Sequence, residues 1–376
     1  MSDNFDKYNN SNITIAVDWF EFFGNTKCSV LLNNYKPDEK KEFQTIDYGY
    51  NLVVLNMGHG TPMYNVLYEI YVGGELFASL QTHPRFVKGD FKDNSISFKI
   101  ANNQLYSDKW VDNMAEIMDL LKLKINNITR LDICIDGCNG VLKFLNSFVK
   151  QTPESKSYIK MGKATMSSCM FDSNTLSYSS FTFGKRTSDK YLIVYNKTKE
   201  LERSNKKYIE KFWLKNGLMA EIVYRVEIRL TSKVLAQIQL TDISMLLDTT
   251  YLASLFRTAS DNFFHFKKNT GDTNKSREQD VNLIPYELLC GELLAKSQRP
   301  KTTHRYKAKL TIRKCHFDLN VKENSIDSEI MLERVIQRNI DEFDLQKWYL
   351  ASVPTWLKEY KVHKSTGHVY STVNYE

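Results

Sequence analysis

Residues 130–136 read RLDICID, and this short stretch decides the class of fold. Its polar and apolar residues alternate with a period of two, which is typical of a strand that buries one face only. The same alternation recurs in YLIVYNK at residues 191–197 and in RVEIRL at residues 225–230. The sequence therefore predicts strands with one apolar face and one polar face, and the polar face carries carboxylates, a phenol and basic side chains.

The surrounding pattern adds more strands and a few amphipathic helices. Residues 65–72 and 75–81 alternate on either side of Gly73-Gly74, which predicts a β-hairpin. Apolar residues spaced at i, i+3, i+4 and i+7 predict helices. These cover about 108–123, 141–150 and 198–213, and the apolar stretch 242–266 and residues 284–296 are also predicted to be helical. We expect an α+β fold with a large, mainly antiparallel sheet, flanking helices and a mostly helical C-terminal region.

The chain of 376 residues is long enough for two or three domains. Residues 1–12 are polar and predict a disordered tail. Residues 13–235 predict the strand-rich catalytic domain, and residues 236–376 a helical, partly basic region. Within the latter, residues 299–314 carry seven lysines and arginines and no acid, which indicates either a solvated surface or a DNA contact through residues such as Arg305 and Lys307.

Composition excludes several classes of protein. A hydrophobic content of 42% and a charged content of 25% are typical of a soluble globular protein. The chain has no run of eighteen apolar residues and no signal-peptide pattern at its start, so we expect no membrane contact and a cytoplasmic location. Its six cysteines form no CxxC pair, which favours free thiols over a zinc site. The net charge of +7 suits a polyanionic partner where it is clustered.

Three acids on the polar strand faces are candidate metal ligands. Asp132 and Asp136 share a face but lie about 13 Å apart along a straight strand, so one ion cannot be gripped by both. We favour Asp132, because Asp136 precedes Gly137 and is equally typical of a turn at the end of a strand. Glu227 lies between Arg225 and Arg229 on its face, which indicates either a cross-strand ion pair or a metal ligand. Such oxygen ligands suit Mg²⁺ or Mn²⁺.

Tyr195 is the candidate nucleophile on the same polar faces. A strand tyrosine commonly has only a packing role, and its phenol has an ordinary pKa near 10. A divalent cation or a nearby lysine would favour the phenolate, and Lys197 is two residues away. Lys197 would supply that charge or hold a phosphate.

Three blocks in this order resemble the replication initiation factor family, which contains rolling-circle initiators of plasmids and related relaxases of conjugative elements. They are ITRLDICID at 128–136, FGKRTSDKYLIVYNKTKE at 183–200 and YRVEIRL at 224–230. The resemblance covers about residues 13–235 and is sharp over 128–230. The chain has no His-hydrophobic-His motif, and in this it differs from the His-ligated nickases.

The resemblance implies a metal-dependent DNA nickase and strand transferase. Tyr195 would attack a phosphodiester at the origin, leaving a covalent 5′-phosphotyrosine and a free 3′-hydroxyl that primes synthesis. Asp132 and Glu227, with Asp136 less firmly, would hold Mg²⁺ or Mn²⁺. The basic residues of the same blocks are candidate DNA contacts: Arg130, Arg186, Lys190, Arg225 and Lys197.

The resemblance leaves the biological role open between an initiator of rolling-circle replication and a conjugative relaxase, since both use the same chemistry. A non-catalytic DNA-binding protein with the same fold is the competing class. The expected partner is origin DNA, single-stranded or extruded at the nick. A helicase and a second copy of this chain are further candidate partners.

Overall fold

The computed structural model describes residues 12–33, 44–47, 52–87, 92–294, 360–362 and 369–371, apart from the isolated positions 153, 163, 174, 239, 241, 275 and 276. The chain divides into two compact units, Met1–Ser297 and Gln298–Glu376. In the second unit the structure describes one antiparallel hairpin, formed by Tyr360–Val362 and Val369–Ser371. The predicted helical C-terminal region, with Arg305 and Lys307, otherwise lies outside the described residues.

The first unit is built on an antiparallel sheet of eleven strands. The strands of this unit are β1 (Thr14–Thr26), β2 (Gln44–Asp47), β3 (Leu52–Asn56), β4 (Tyr64–Val72), β5 (Glu75–Pro84), β6 (Ser95–Ile100), β7 (Leu123–Asp136), β8 (Tyr158–Met161), β9 (Met166–Asp172), β10 (Ser177–Phe183), β11 (Lys190–Asn196), β12 (Tyr224–Thr231) and β13 (His265–Lys268). Their order in the large sheet is β2-β3-β4-β5-β6-β1-β7-β12-β11-β10-β9, and β8 pairs separately with β13.

The helices of the described chain are α1 (Ser29–Asn33), α2 (Trp110–Leu120), α3 (Asn139–Val149), α4 (Lys197–Ser204), α5 (Lys207–Lys215), α6 (Ser232–Ile238) and α7 (Thr249–Ser260). Single 3₁₀ turns cover Gln104–Tyr106, Ile243–Leu247 and Tyr286–Leu289. The predicted α+β class, with a large antiparallel sheet and flanking helices, is confirmed.

The apolar face of the central strands forms the core. On β7 and β12, Ile133, Ile135, Val226 and Ile228 are fully buried, as their alternation predicts. Helices α3 and α7 pack against the sheet at this point. Burying each such side chain contributes on the order of 1.5–3 kcal/mol, so the strands are fixed in register by one face and the other is free for chemistry.

The strand β1 contains a bulge that changes which side chains face the core. Its pairing with β7 shifts between Val17 and Trp19, so Asp18 has no partner of its own. The buried residues are Val17 and then Phe20, three positions apart instead of two. A bulge of this kind redirects side chains, and here Asp18 joins the polar face of the sheet, where it meets Arg225.

The predicted charged helix at 198–213 is in fact two helices, α4 and α5. The break falls at Asn205, whose φ of 52° is left-handed and ends α4. Asparagine tolerates this conformation better than most residues. The break turns α5 back toward the sheet, so that Trp213 reaches Asp136.

Two other helix predictions are partly wrong. Within 242–266 the chain forms a 3₁₀ turn, helix α7 and the start of strand β13, and within the described part of 284–296 it forms only the turn Tyr286–Leu289. The predicted domain boundary near residue 235 stays a prediction.

Candidate active site

Three neighbouring strands bring the predicted site residues into register. Across β11, β12 and β7, Tyr195 lies opposite Arg225, which lies opposite Asp136. Two residues along β12, Glu227 lies opposite Cys134 of β7. Because side chains alternate across a strand, these five residues all lie on the polar face of the sheet.

Tyr195 is held in a hydrogen-bonded chain with an acid and a lysine. Its hydroxyl donates to Glu227 Oε2 at 3.0 Å, and the Lys197 ammonium donates to the Tyr195 oxygen at 3.4 Å. Lys197 is 2% exposed and also pairs with Glu200 at 2.5 Å. Lys197 is the first residue of α4, and the Asn196 side chain caps that helix by accepting from the Lys199 backbone N–H at 2.9 Å. The helix start therefore aims the lysine at the phenol.

The pKa values of both Glu227 and Tyr195 are raised above their ordinary values. Burial, followed by repulsion from Asp18 and Asp132, raises the pKa of Glu227 to about 7. Burial also raises the pKa of Tyr195 well above its ordinary value, and the charge of Glu227 adds to this, although Arg225 opposes it. The phenol is therefore neutral at rest and needs a base in contact with it, and Glu227 is in that position.

At the end of the same ladder, Asp136 and Arg225 form a closed, buried network. The Arg225 guanidinium donates to both Asp136 oxygens at 2.7 Å, and the Trp213 indole donates to Asp136 at 2.7 Å. Arg225 also donates to Asp18 at 2.8 Å. Asp136 is 1% exposed and Arg225 is fully buried. As placed here, these two predicted site residues bind each other.

Asp132 lies toward the other end of β7 and is paired with two arginines. Arg130 donates to both of its carboxylate oxygens, with Nε at 2.9 and 3.1 Å, and Arg229 Nε lies 3.6 Å away. Burial raises the pKa of Asp132, while the hydrogen bonds and charge of Arg130 oppose the rise. Arg130 keeps about a quarter of its side chain exposed, so it is open to a further anionic contact.

Sequence reasoning missed Asp18, Trp213 and Tyr106. Burial works against ionisation of Asp18, but the charges of Arg225 and Lys197 outweigh it and hold the pKa of this acid well below its ordinary range. Tyr106 donates to Asp18 and accepts from Arg225 at 3.1 Å. The three-residue spacing from Val17 to Phe20 is the signal that could have marked the bulge and its aspartate.

The remaining predicted DNA contacts are not part of this cluster. Lys190 is on the opposite face of β11 from Tyr195, and its ammonium donates to the Ala259 carbonyl oxygen at 2.6 Å. Arg186 is exposed in the turn between β10 and β11.

A cavity of about 570 Å³ opens beside Tyr195. Besides Tyr195, it is lined by Phe171, Ser180, Lys199 and Arg203, among others. Phe171 is 54% exposed. The lining also includes Glu200 and Asp172, and Asp172 pairs with Lys199 at 3.1 Å. The ring of Phe171 and the exposed Arg203 suit a nucleotide, since bases stack on aromatic rings and phosphates pair with cations.

The donor set also fits a hard cation. Glu227 uses only Oε2 for a hydrogen bond within the described chain, and Asp132 is its diagonal neighbour on the sheet, a separation of about 7–8 Å between backbones. In the residues that the structure describes, no group of three or more His, Cys, Asp and Glu side chains is arranged to hold a metal ion. Mg²⁺ commonly needs only one or two protein carboxylates, with water and substrate phosphate completing its shell.

Comparison with known proteins supports the family. The family model described as replication initiation factor matches residues 126–283, which include β7, β11 and β12. The resemblance inferred from the three sequence blocks is thus confirmed: this stretch is similar to the replication initiation factor family. No curated protein sequence matches the chain.

Among solved structures, a rolling circle replication initiator protein from Geobacillus stearothermophilus is similar to this chain at 15% identity and a TM-score of 0.43. The match covers 76% of this chain and all of that one. No helix in the described part of the chain is long and apolar enough to cross a membrane.

Proposed function

We propose that this protein nicks one strand of origin DNA with Tyr195 and so initiates rolling-circle replication of a plasmid or mobile element. The observation that carries the proposal is the contact of the Tyr195 hydroxyl with Glu227 at 3.0 Å and with Lys197 at 3.4 Å, inside the stretch that is similar to the replication initiation factor family. A phenol, a base and a cation in one hydrogen-bonded chain are what nucleophilic catalysis requires.

The proposed step transfers the phosphate of the scissile bond from the 3′-oxygen to Tyr195. The Tyr195 oxygen forms a bond to phosphorus as its proton passes to Glu227, and the bond from phosphorus to the 3′-oxygen breaks. The leaving 3′-oxygen takes up a proton and becomes a free 3′-hydroxyl. The 5′-phosphate stays on Tyr195, so the energy of the phosphodiester is kept for a later strand transfer.

Lys197 and Glu227 have separate roles in this step. Glu227, with a pKa raised to about 7, is deprotonated often enough near neutral pH to accept the phenol proton, and it holds that proton well. The positive charge of Lys197 favours the phenolate that develops on Tyr195. The cavity beside Tyr195 accommodates the strand next to the scissile phosphate.

Because Glu227 is the base in this step, Mg²⁺ or Mn²⁺ would be held by Asp132 or Asp18, and when bound it would supply Lewis-acid stabilisation to the scissile phosphate. Asp136 has a different role in this proposal. Its pairing with Arg225 and Trp213 fixes the ends of β7 and β12, and thereby the position of Glu227.

The test is the covalent adduct. A single-stranded oligonucleotide from the origin of the replicon that encodes the protein, labelled on the 3′ side of the nick, is incubated with the full chain and Mn²⁺. We expect a protein–DNA band on a denaturing gel that Tyr195→Phe abolishes.

Tyr191→Phe is the matched control, because Tyr191 is on the same face of the same strand and its hydroxyl makes no hydrogen bond within the described chain. It should keep the adduct. An adduct that persists in Tyr195→Phe overturns the assignment of the nucleophile. Cleavage without any adduct indicates a metal-dependent nuclease, and binding without cleavage indicates a DNA-binding protein.

A further inference from the structure

A second cationic cluster lies on the same polar face, away from Tyr195. Lys99 on β6 and Arg130 on β7 flank β1 from its two sides. Both contact the indole of Trp19, with Lys99 Nζ 3.7 Å and the Arg130 guanidinium carbon 3.9 Å from the ring centroid. Two cations at one aromatic ring are each attracted by the ring but repel one another.

The two cations retain unused hydrogen-bond donors. The Lys99 ammonium has no hydrogen bond or ion pair with any residue that the structure describes. Arg130 directs Nε and Nη2 to Asp132, which leaves Nη1 without an acceptor in the described chain. Both side chains are partly exposed, so the free donors are open to solvent.

The acid between these cations, Glu21, forms no ion pair with either of them in the described chain. Glu21 lies opposite Lys99 on one side and Arg130 on the other in the strand register. Its carboxylate instead accepts from the Trp19 indole at 3.1 Å and from Ser97 at 3.5 Å. Burial lowers the pKa of Lys99, the charge of Glu21 opposes this, and the charge of Arg130 adds a smaller lowering. An anion at this point would accept from the free donors of both cations.

We propose that Lys99 and Arg130 bind a backbone phosphate of the DNA strand that leads to Tyr195, and that Trp19 positions both cations. This inference rests on the proposed function. In the sheet, Tyr195 lies two strands from Asp136 of β7, and Arg130 is six residues from Asp136 along β7. The phosphate site is therefore on the order of 20 Å from Tyr195. It is therefore a contact several nucleotides from the nick, and it sets affinity more than the rate of chemistry.

The experiment measures binding without cleavage. A labelled single-stranded oligonucleotide of mixed sequence is titrated with the full chain in a chelator, by fluorescence anisotropy at several KCl concentrations. Each phosphate contact contributes about 0.7 to the slope of log affinity against log salt for single strands. We expect Lys99→Gln to weaken binding several-fold at low salt and to reduce this slope by about 0.7.

Lys211→Gln is the matched control, since it removes the same charge from the exposed surface of α5. It should leave the slope unchanged. Trp19→Leu should weaken binding as Lys99→Gln does, although it removes no charge, and combining the two should add little further loss. Thermal unfolding of each variant reports whether the fold is retained.

The outcomes separate this inference from the proposed function. If the wild-type chain binds and nicks DNA but Lys99→Gln keeps the wild-type slope, the phosphate site is wrong and the nicking proposal stands. If Trp19→Leu loses no affinity, the positioning role is wrong. If the wild-type chain binds no single-stranded DNA in this assay, the phosphate site is wrong, and the adduct assay on origin DNA with Mn²⁺ decides the nicking proposal separately.

Discussion

The two halves of the β7–β12 ladder treat their acids in opposite ways. At one end Asp136 accepts hydrogen bonds from Arg225 and Trp213 and is sealed from solvent. Two residues further along, the Glu227 side chain has one hydrogen bond within the described chain, to Tyr195, and burial, with repulsion from Asp18 and Asp132, raises its pKa to about 7. The comparison indicates a division of labour: the saturated pair fixes the strands, and the unsaturated acid keeps its capacity to exchange a proton.

The largest expected effect tests the reactive half. Glu227→Gln keeps the size of the side chain and removes the base, so formation of the covalent adduct should slow by about 100-fold to 10,000-fold. In the wild-type chain the rate should rise as pH passes through about 7, where Glu227 loses its proton. The rate of adduct formation between pH 5.5 and 8.5 measures both. A Gln variant that keeps the rise near pH 7 would mean that another group is the base.

The next effect tests the structural half. Asp136→Ala leaves the buried Arg225 with Asp18 as its remaining acid, so the free energy of unfolding should fall by about 3–5 kcal/mol. Urea unfolding followed by circular dichroism measures it.

The matched control for this variant is Asp108→Ala. Asp108 pairs with Lys215 at the surface, with 79% of its side chain exposed, and its removal should produce no measurable change in stability. Equal losses in the two variants would show that the buried network is no more important than a surface ion pair.

The raised pKa of Glu227 also predicts a smaller effect, on how the free energy of unfolding changes with pH. The pKa of Glu227 is raised from 4.5 to about 7 in the folded chain, so its proton stabilises the fold below pH 4.5, and this contribution is lost as pH rises through 7. The loss amounts to about 3 kcal/mol at most, and less to the extent that the side chain reaches solvent. Glu227→Gln should therefore gain stability relative to the wild-type chain between pH 5 and pH 8, measured by urea unfolding. A constant difference across that range would mean that Glu227 has an ordinary pKa.

The sequence was sufficient for the elements that carry the site, because alternation with a period of two is a local property. It predicted the strands at 130–136, 191–197 and 225–230 and the hairpin at Gly73-Gly74, and these form, except that the second strand ends at Asn196 and Lys197 begins α4. It also gave the right face for Tyr195 and Glu227. These residues meet because neighbouring strands are in register, and the apolar face determines that register.

The parts that the sequence did not predict depend on contacts between distant segments. The pairing of Arg225 with Asp136 joins residues 89 positions apart. Nothing in the sequence near Arg225 distinguishes this paired arginine from an unpaired arginine that binds phosphate. Lys190 was assigned to DNA by its place in a motif, whereas the alternation already puts it on the face opposite Tyr195. Trp213 reaches Asp136 only because Asn205 breaks the predicted single helix.

The bulge in β1 has a consequence for how this strand tolerates change in length. Before Asp18 the core-facing residues have odd numbers, as in Ile15 and Val17. After Asp18 they have even numbers, as in Phe20 and Phe22. Removing one residue there would restore perfect alternation and leave the core intact on both sides, at the cost of the acid that holds Arg225. A one-residue insertion or deletion between Phe20 and Phe22 would instead put these two rings on opposite faces and turn one of them out of the core. The bulge is therefore a position where the length of β1 can vary without loss of the hydrophobic core, and the candidate active site occupies it.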